Sequence, residues 1–315
     1  MDLLCLDRKD VNDLLDMDEL LEALAAGFKA ISRGEAVVPV RNQVTVPDAG
    51  YLMVMPAWRP GAMVTVKLIT VFDGNHKVGL PSHQGLICAF DPDTGSPLAM
   101  MDAAPITALR TAGCAALSVR HLSRENARVL TIIGAGVQGE SHLKICSRMR
   151  DFEEIRIVSY FHKDAVNLAR AHPQARAVES TEEAVQGADV LCLCSASDTP
   201  VFEAAWVSPG THITSVGYAP PGSELPRDIV SRARLFVESR ISFEPPPAGC
   251  CELTGIDAAT GTELGEILQG SSPGRRNDDE ITLYKAMGHA IEDLAAANLV
   301  YALAKRQGKG SIAKL

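Results

Sequence analysis

Three glycines in the stretch "TIIGAGVQG" have the spacing of a dinucleotide clamp. Gly134, Gly136 and Gly139 form a G-x-G-x-x-G pattern, preceded by the apolar run "RVLTII" and followed by the helix-like "VQGESHLKICSRM". In that setting the first glycine permits a tight turn, the second lets the backbone approach a pyrophosphate, and the third lets the helix pack on the strand. N–H groups at the helix N-terminus would bind the phosphates. The pattern predicts a dinucleotide-binding βαβ unit.

The end of the next predicted strand is where such units distinguish the two nicotinamide dinucleotides. An acidic residue there binds the ribose hydroxyls of NAD, whereas an arginine binds the 2′-phosphate of NADP. The sequence "IRIVSYFHKDA" has neither at Ser159 or Tyr160, and His162 and Lys163 follow and could approach a phosphate. These residues leave the cofactor preference open.

A lysine and two arginines in the N-terminal half could act on a substrate. Lys67 lies in "MVTVKLITVF", where strand alternation places it on one face with Thr65, Ile69 and Val71. Burial would lower its pKa and let it donate a proton at neutral pH. On the pattern alone, the favoured interpretation is an edge-strand lysine that discourages aggregation.

Arg110 and Arg41 are candidates for binding a carboxylate bidentately. Arg110 is surrounded by small side chains in "ITALRTAG", and Arg41 lies in "VPVRNQVTV". A guanidinium presents two parallel N–H donors to a carboxylate. Taken singly, each arginine is more typical of a solvated surface position.

The elements around these residues fall into two patterns. Residues 17–33 have the apolar spacing of a helix, with Asp16 as its N-cap, residues 37–102 alternate with period two, and 106–122 form a helix rich in small residues. From residue 127 onward apolar strands alternate with helices, which predicts a parallel sheet covered on both faces. The tail 278–306 is expected to be one long Ala-rich helix with an acidic start.

Composition narrows the classes of partner. The 315 residues are 46% hydrophobic and 22% charged, with a net charge of −9 and no dense Lys/Arg cluster, which argues against nucleic acid and anionic membranes. No apolar run approaches the ~20 residues that span a bilayer. The acidic start "MDLLCLDRKDVNDLLDMDE" lacks the features of a secretory signal, so we expect a cytoplasmic location.

Cysteine and histidine usage predicts no metal site. The eight cysteines include no CxxC pair, and several lie in apolar runs, which is typical of thiols packing as small hydrophobes in a reducing compartment. The eight histidines are scattered without metal-ligand spacing.

Taken in order, these stretches resemble the ornithine cyclodeaminase/μ-crystallin family over almost the whole chain. The matching segments include "VPVRNQVTV", "VTVKLITVF", "FDPDTGSPLA…ITALRTA", "TIIGAGVQG" and "VGYAPPGSEL". The resemblance implies an α/β fold in which a Rossmann domain, residues 119–287, is inserted into an α+β substrate and dimerisation domain, residues 1–118 with 288–315. It also implies a homodimer.

The resemblance assigns roles to individual residues. It makes Lys67 the catalytic residue, in reversal of the interpretation from pattern alone, and Arg41 and Arg110 the groups that bind the substrate carboxylate. Apart from the resemblance, His83 or Arg41 is a candidate for binding a second polar group on the substrate, such as the side-chain carboxylate of iminosuccinate. The expected cofactor contacts come from the three fingerprint glycines and from Ala135, Val137, Gln138, Ser159, Tyr160 and Thr111.

Members of the family differ in reaction. Cyclodeaminases carry an Asp within "GGDCPG" that assists the amine chemistry, and this chain has Ala219 there, in "VGYAPPG". Alanine cannot accept a proton, so we expect an NAD(P)H-dependent reductase of a small 2-imino acid or ketimine, such as iminosuccinate, iminopropionate or a cyclic ketimine, or an enzyme running the reverse amino-acid dehydrogenation. The alternatives are an ornithine or lysine cyclodeaminase and a dinucleotide-dependent binding protein of the μ-crystallin type. NADP-preferring members have an Arg where this chain has Tyr160, which favours NADH.

Overall fold

One helix, Ala103–Leu122, continues from the first structural unit of the chain into the second. The computed structural model describes residues 2–314 and divides into unit 1, Met1–Arg110 with His289–Leu315, and unit 2, Thr111–Gly288. The division therefore lies inside this helix at one end and beside Gly288 at the other. The boundaries expected from the sequence, after residues 118 and 287, fall in the same helix and beside the same glycine.

The helices and strands have the following bounds in chain order. Unit 1 begins with β1 (Asp2–Leu6), α1 (Arg8–Leu14), α2 (Met17–Ser32), β2 (Asn42–Val46), β3 (Gly50–Ala57), β4 (Val64–Val71), β5 (His83–Phe90), β6 (Pro97–Asp102) and the first part of α3 (Ala103–Leu122). Unit 2 continues with β7 (Val129–Ile133), α4 (Val137–Cys146), β8 (Glu154–Val158), α5 (His162–Ala169), β9 (Ala175–Ala177), α6 (Thr181–Val185), β10 (Val190–Leu193), β11 (His212–Ser215), α7 (Arg227–Arg232), β12 (Arg234–Val237), β13 (Thr262–Glu263), α8 (Leu264–Leu268) and β14 (Thr282–Lys285). Unit 1 ends with α9 (Ala290–Gln307) and β15 (Ser311–Lys314).

Unit 1 is built on a mostly antiparallel sheet. Within the described residues its seven strands have the order β15-β1-β6-β5-β4-β3-β2. The register places Lys67 on β4 opposite Met55 of β3 and Ile87 of β5. Since opposed residues point to the same face of a sheet, these three side chains share one face. Burial alternates along β4, with Thr65, Lys67, Ile69 and Val71 buried, as the alternating sequence predicts.

Helices α2 and α9 pack together, and α9 lies against β3, β4 and β5 of the sheet. The N-cap of α2 is Asp16, whose carboxylate accepts the backbone N–H groups of Asp18 and Glu19. Gly27 allows the two helices to come close, because a Cβ there would lie 3.2 Å from Cγ1 of Ile291. This packing places the first turn of α9 over the face of the sheet that carries Lys67.

Unit 2 is a parallel sheet with the strand order of a dinucleotide-binding fold. Its eight strands run β13-β12-β14-β11-β10-β7-β8-β9 in the described part of the chain, and every pair is parallel. The chain leads outward in one direction from β7 through β8 to β9, then returns to place β10 on the other side of β7. This reversal is the topological switch point at which open α/β sheets bind ligands, beyond the carboxyl ends of the strands. The predicted α/β class, a Rossmann domain with a second α+β domain, is confirmed.

The expectation of one continuous helix over 278–306 was wrong. Residues Thr282–Lys285 form β14, a central strand buried on both faces, and α9 begins only at Ala290. A strand buried on both faces has no alternation of apolar and polar residues, so its sequence does not differ from that of a buried helix. Gly288, with a φ of +82°, and His289, the N-cap of α9, separate the two elements.

Two further findings concern the described residues alone. No helix in this part of the chain has both the length and the apolar character that crossing a membrane requires. No group of three or more His, Cys, Asp or Glu side chains within residues 2–314 has the arrangement of a metal site.

Candidate active site

Lys67 is a buried lysine with a carboxylate partner. Its side chain is 1% exposed, and its Nζ lies 2.7 Å from Oδ2 of Asp293 in the first turn of α9. A solvated edge-strand lysine, the interpretation favoured by the pattern alone, therefore does not describe Lys67.

The same turn of α9 binds Arg110. The guanidinium of Arg110 forms a buried ion pair with the Glu292 carboxylate through Nη1, and its Nε lies 3.2 Å from Oδ1 of Asp293. Glu292 also accepts the backbone N–H of His289 at 3.2 Å, which completes a capping box at the start of the helix. Glu292 and Asp293 thus place the Lys67 and Arg110 cations beside each other.

Arg41 and His289 complete this cluster. Arg41 is 8% exposed and directly precedes β2. Burial, together with the positive charges of Arg41 and Arg110, lowers the pKa of His289 to about 4 against the opposing effect of Glu292 and Asp293. The His289 imidazole is therefore neutral at pH 7, and its Nδ1 accepts the N–H of Ile291.

Burial also sets the charge state of Lys67. It lowers the pKa of Lys67 to about 8, the Arg110 charge lowers it as well, and Asp293 raises it. An ammonium with a pKa near neutrality is suited to give a proton to a reacting nitrogen.

His83 lies at the start of β5, opposite Val71, on the face of the sheet that carries Lys67. Desolvation lowers the pKa of His83, and the charge of Lys67 lowers it further. The role of His83 in binding a second polar group of the substrate is a proposal.

The glycine fingerprint has the close contacts that its spacing predicts. Gly134 has a φ of +112°, and a Cβ there would lie 2.5 Å from the carbonyl oxygen of Cys194. A Cβ on Gly139 would collide with the Gly134 carbonyl. Gly136 is the N-cap of α4, and a Cβ there would meet no atom within 4 Å, so the backbone at this position faces open space.

These features fit a dinucleotide pyrophosphate. The first turn of α4 presents backbone N–H groups of Val137 and Gln138, beside Ala135 and Gly136. Thr111, on α3, is buried and begins unit 2. The contacts of these residues to a cofactor are proposals.

The segment after β8 is open and aromatic. Tyr160 is 95% exposed and makes an edge-to-face contact with Phe161 at 4.9 Å between ring centroids. Ser159 lies between β8 and this pair, and His162, the first residue of α5, lies 3.3 Å from Glu179. Neither Ser159 nor Tyr160 brings a charge to the end of β8.

Three residues of unit 1 that the sequence analysis missed hold the polar cluster together: Glu292, Asp293 and His289. The sequence signal for Glu292 and Asp293 is an acidic pair directly before the apolar run "LAAANLV". Carboxylates next to such a run are expected to be shielded from solvent and to need a cationic partner. The helix was instead expected to begin with the acidic residues 278–280, ahead of β14.

Glu224 of unit 2 was also missed. It is 1% exposed, and its two oxygens accept backbone N–H groups from Ser195, after β10, and Gly217, after β11, at 3.0 and 2.8 Å. A buried carboxylate that accepts several hydrogen bonds fixes the positions of its donors, because a charge-assisted hydrogen bond is stronger than a neutral one. Glu224 therefore ties together the segments that follow two neighbouring strands.

Known proteins are similar to this chain in sequence and in structure along most of its length. Residues 1–308 match the ornithine cyclodeaminase/mu-crystallin family. The ketimine reductase mu-crystallin of Mus musculus is 37% identical over 304 residues, covering 94% of this chain and 96% of that protein. The structure of Thermococcus litoralis Delta(1)-pyrroline-2-carboxylate reductase in complex with NADH and L-proline superposes with a TM-score of 0.92 at 32% identity, covering 98% of this chain and 99% of that one.

An archaeal alanine dehydrogenase dimer with bound NAD is similar to the same extent. It superposes with a TM-score of 0.91 at 30% identity, and the match covers 100% of both chains. The match covers the residues of both units. The chain belongs to the ornithine cyclodeaminase/mu-crystallin family.

Proposed function

We propose that this chain is an NAD(H)-dependent oxidoreductase that reduces a small 2-imino acid or cyclic ketimine to the amino acid. The observation that carries the proposal is the buried Lys67 ammonium, 2.7 Å from Asp293 and beside the Arg110 guanidinium. The relatives support the same chemistry, since they include a ketimine reductase and a pyrroline-2-carboxylate reductase in complex with NADH.

Each part of the cluster has a task in this reaction. Arg41 and Arg110 bind the substrate carboxylate, which fixes the position of the adjacent C=N bond. Lys67 donates a proton to the imine nitrogen and afterwards recovers one from solvent. Gly134, Gly136 and the start of α4 would hold the cofactor, which would supply the hydride that the imine carbon requires.

The charge of the cluster favours substrates with one carboxylate. Arg41, Lys67 and Arg110 bring three positive charges, and Glu292 and Asp293 bring two negative charges. The net charge of +1 is neutralised by one substrate carboxylate. We therefore rank cyclic ketimines and iminopropionate above iminosuccinate, whose second carboxylate would leave the cluster with a net negative charge.

The decay of NADH absorbance tests the proposal. The enzyme is given Δ1-pyrroline-2-carboxylate, pyruvate with ammonia, or oxaloacetate with ammonia, and we expect NADH consumption with kcat/KM highest for the cyclic ketimine. A cyclodeaminase would instead release ammonia from ornithine with no net change in NADH. Dinucleotide binding without turnover of any of these compounds would contradict the proposal.

A homodimer is a second proposal, drawn from unit 1. All five residues of the edge strand β2 are exposed, and the apolar side chains Val44 and Val46 are 58% and 43% exposed. Unpartnered edge strands with apolar side chains favour association. The similar archaeal alanine dehydrogenase is a dimer, and the molar mass from light scattering tests whether this chain forms one.

The thiols support a cytoplasmic location, which is also a proposal. All eight cysteines lie in the described residues, and none is in a disulfide. Such thiols persist in a reducing compartment.

A further inference from the structure

Asp293 contacts two buried cations, Lys67 of β4 and Arg110 of α3. Its Oδ2 lies 2.7 Å from Lys67 Nζ, its Oδ1 lies 3.2 Å from Arg110 Nε, and its side chain is 1% exposed. The Asp293 carboxylate therefore forms ion pairs with both the proposed proton donor, Lys67, and a proposed substrate-binding residue, Arg110.

Charged groups on α3 and α9 act on the protonation of Lys67. The positive charge of Arg110 on α3 lowers the pKa of Lys67, whereas the carboxylates of Asp293 and Glu292 on α9 raise it. His83 of β5 is close enough for the Lys67 charge to lower its pKa. Met55 and Ile87, the neighbours on β3 and β5, bring no charge.

Two further groups lie at the edge of this set. His289 is held neutral by burial, and Arg41 acts on His289. Asp293 is therefore the one carboxylate of the described residues in direct contact with Lys67, because Glu292 is bound to Arg110 and to the N-cap backbone.

We propose that Asp293 is a positioning residue that keeps Lys67 protonated and aimed at the imine nitrogen. The inference rests on the proposed function, in which Lys67 donates a proton. Without the Asp293 charge, burial and Arg110 both act against the ammonium, and Lys67 becomes a neutral amine at neutral pH. A neutral amine has no proton to give to an imine.

The pH dependence of kcat/KM for Δ1-pyrroline-2-carboxylate and NADH tests this role. In the wild type we expect activity to fall as pH rises through the pKa of Lys67. In Asp293→Asn this basic limb moves to lower pH by roughly one to three units, the range for loss of an opposite charge within about 6 Å. An unmoved basic limb in a folded Asp293→Asn enzyme overturns the proposal.

Glu292→Gln is the matched control, since it removes a neighbouring carboxylate that forms an ion pair with Arg110. We expect a higher KM for the imine and a smaller shift of the basic limb than in Asp293→Asn. Equal shifts in the two variants would show that direct contact with Lys67 is immaterial, which contradicts the proposal.

If Asp293→Asn does not fold, Arg110→Gln provides a test of opposite sign. Removing the cation that opposes Lys67 moves the basic limb to higher pH, together with a higher KM. A limb that stays in place or moves to lower pH overturns the account of how the cluster sets the Lys67 charge.

A measurement that needs no turnover separates this inference from the proposed function. Between the folded and unfolded pKa values of Lys67 the unfolded state binds more protons, so the free energy of unfolding rises with pH. Loss of the Asp293 charge extends this window to lower pH. Between pH 6 and 8 we expect a steeper rise in Asp293→Asn than in the wild type, and no such difference between the two when both also carry Lys67→Met.

If no imine is reduced by the wild type, the proposed function fails while this stability comparison still decides the electrostatic role of Asp293. A steeper slope supports it, and equal slopes contradict it.

Discussion

The Glu224 carboxylate accepts the backbone N–H of Gly217 at 2.8 Å. Its other oxygen accepts the N–H and hydroxyl of Ser195 at 3.0 and 2.6 Å, and Ser215 donates to the first oxygen at 2.8 Å. The Cys194–Ser195 segment in turn lies against Gly134 of the fingerprint. Glu224 therefore connects the segments after β10 and β11 to the dinucleotide turn.

Glu224→Gln should disturb both segments. One amide nitrogen would face a backbone N–H that now has an oxygen partner, and a buried donor left without an acceptor costs about 1–3 kcal/mol. We expect that loss in the free energy of unfolding by urea, with a higher KM for NADH. Ser215→Ala is the control: it removes a hydroxyl that donates to Glu224 and accepts from Lys285 Nζ, but it leaves the hydrogen bonds from both backbone N–H groups, so the KM for NADH should change much less. Unchanged NADH binding in Glu224→Gln would contradict the link to the cofactor segment.

Two fingerprint glycines should respond differently to alanine. At Gly136 the backbone is extended, with φ −86° and ψ −164°, and a Cβ meets open space, so Gly136→Ala keeps its stability. It should weaken NADH binding at least about tenfold, or ~1.4 kcal/mol, because a methyl group occupies the space through which the pyrophosphate approaches the backbone.

Gly139→Ala should instead lower the midpoint temperature of unfolding, since its Cβ collides with the Gly134 carbonyl. Fluorescence titration with NADH, beside thermal unfolding, distinguishes the two, and equal NADH affinity in Gly136→Ala and wild type would count against pyrophosphate binding there.

Tyr160 is expected to affect the choice of cofactor. The side chain is almost fully exposed at the end of β8, and no arginine there meets a 2′-phosphate. Tyr160→Arg should raise kcat/KM for NADPH about tenfold, since hydrogen bonds to charged groups contribute about 1.5–3 kcal/mol. Phe161→Arg is the matched control on the neighbouring residue. A wild type that already prefers NADPH would contradict the expected preference for NADH.

Stability should fall in mild acid because of a buried histidine. Burial lowers the pKa of His142, on α4, to about 4, and its Nδ1 donates to the Gln138 carbonyl at 2.7 Å. Below the unfolded pKa of about 6.5 the unfolded chain binds a proton that the folded chain does not, so stability present at pH 7.5 is lost as pH falls towards 4. For His142 alone the loss by pH 5 is on the order of 2 kcal/mol. His142→Leu should show a correspondingly smaller decline in urea unfolding, and an identical decline in both proteins would rule out this histidine as a cause.

Local patterns were sufficient for most of the fold. The glycine spacing predicted the βαβ unit, and the alternation in "MVTVKLITVF" placed Lys67 on one face of its strand with Thr65, Ile69 and Val71, which are all buried in the structure. The pattern did not show whether Lys67 is solvated or paired, because its partner Asp293 comes from a helix at the other end of the chain. The resemblance to the family supplied that distinction.

The errors have the same physical origin. β14 was predicted as helix since a strand buried on both faces shows no alternation, and Glu292 and Asp293 were overlooked since a helix of unit 1 buries them against distant residues. Glu224 could not be identified either, because its donors belong to segments after two different strands. Contacts between distant parts of the chain are not encoded in the spacing of residues within one element.

The most direct test of the account is the rate of NADH-dependent reduction of Δ1-pyrroline-2-carboxylate by Lys67→Met and the wild type at pH 7. Methionine keeps the unbranched side chain and removes the proton donor. We expect kcat to fall by about 10²- to 10⁴-fold, the usual contribution of general acid catalysis, while NADH affinity is unchanged. Turnover in Lys67→Met within a few-fold of the wild type would contradict the central claim that Lys67 protonates the imine.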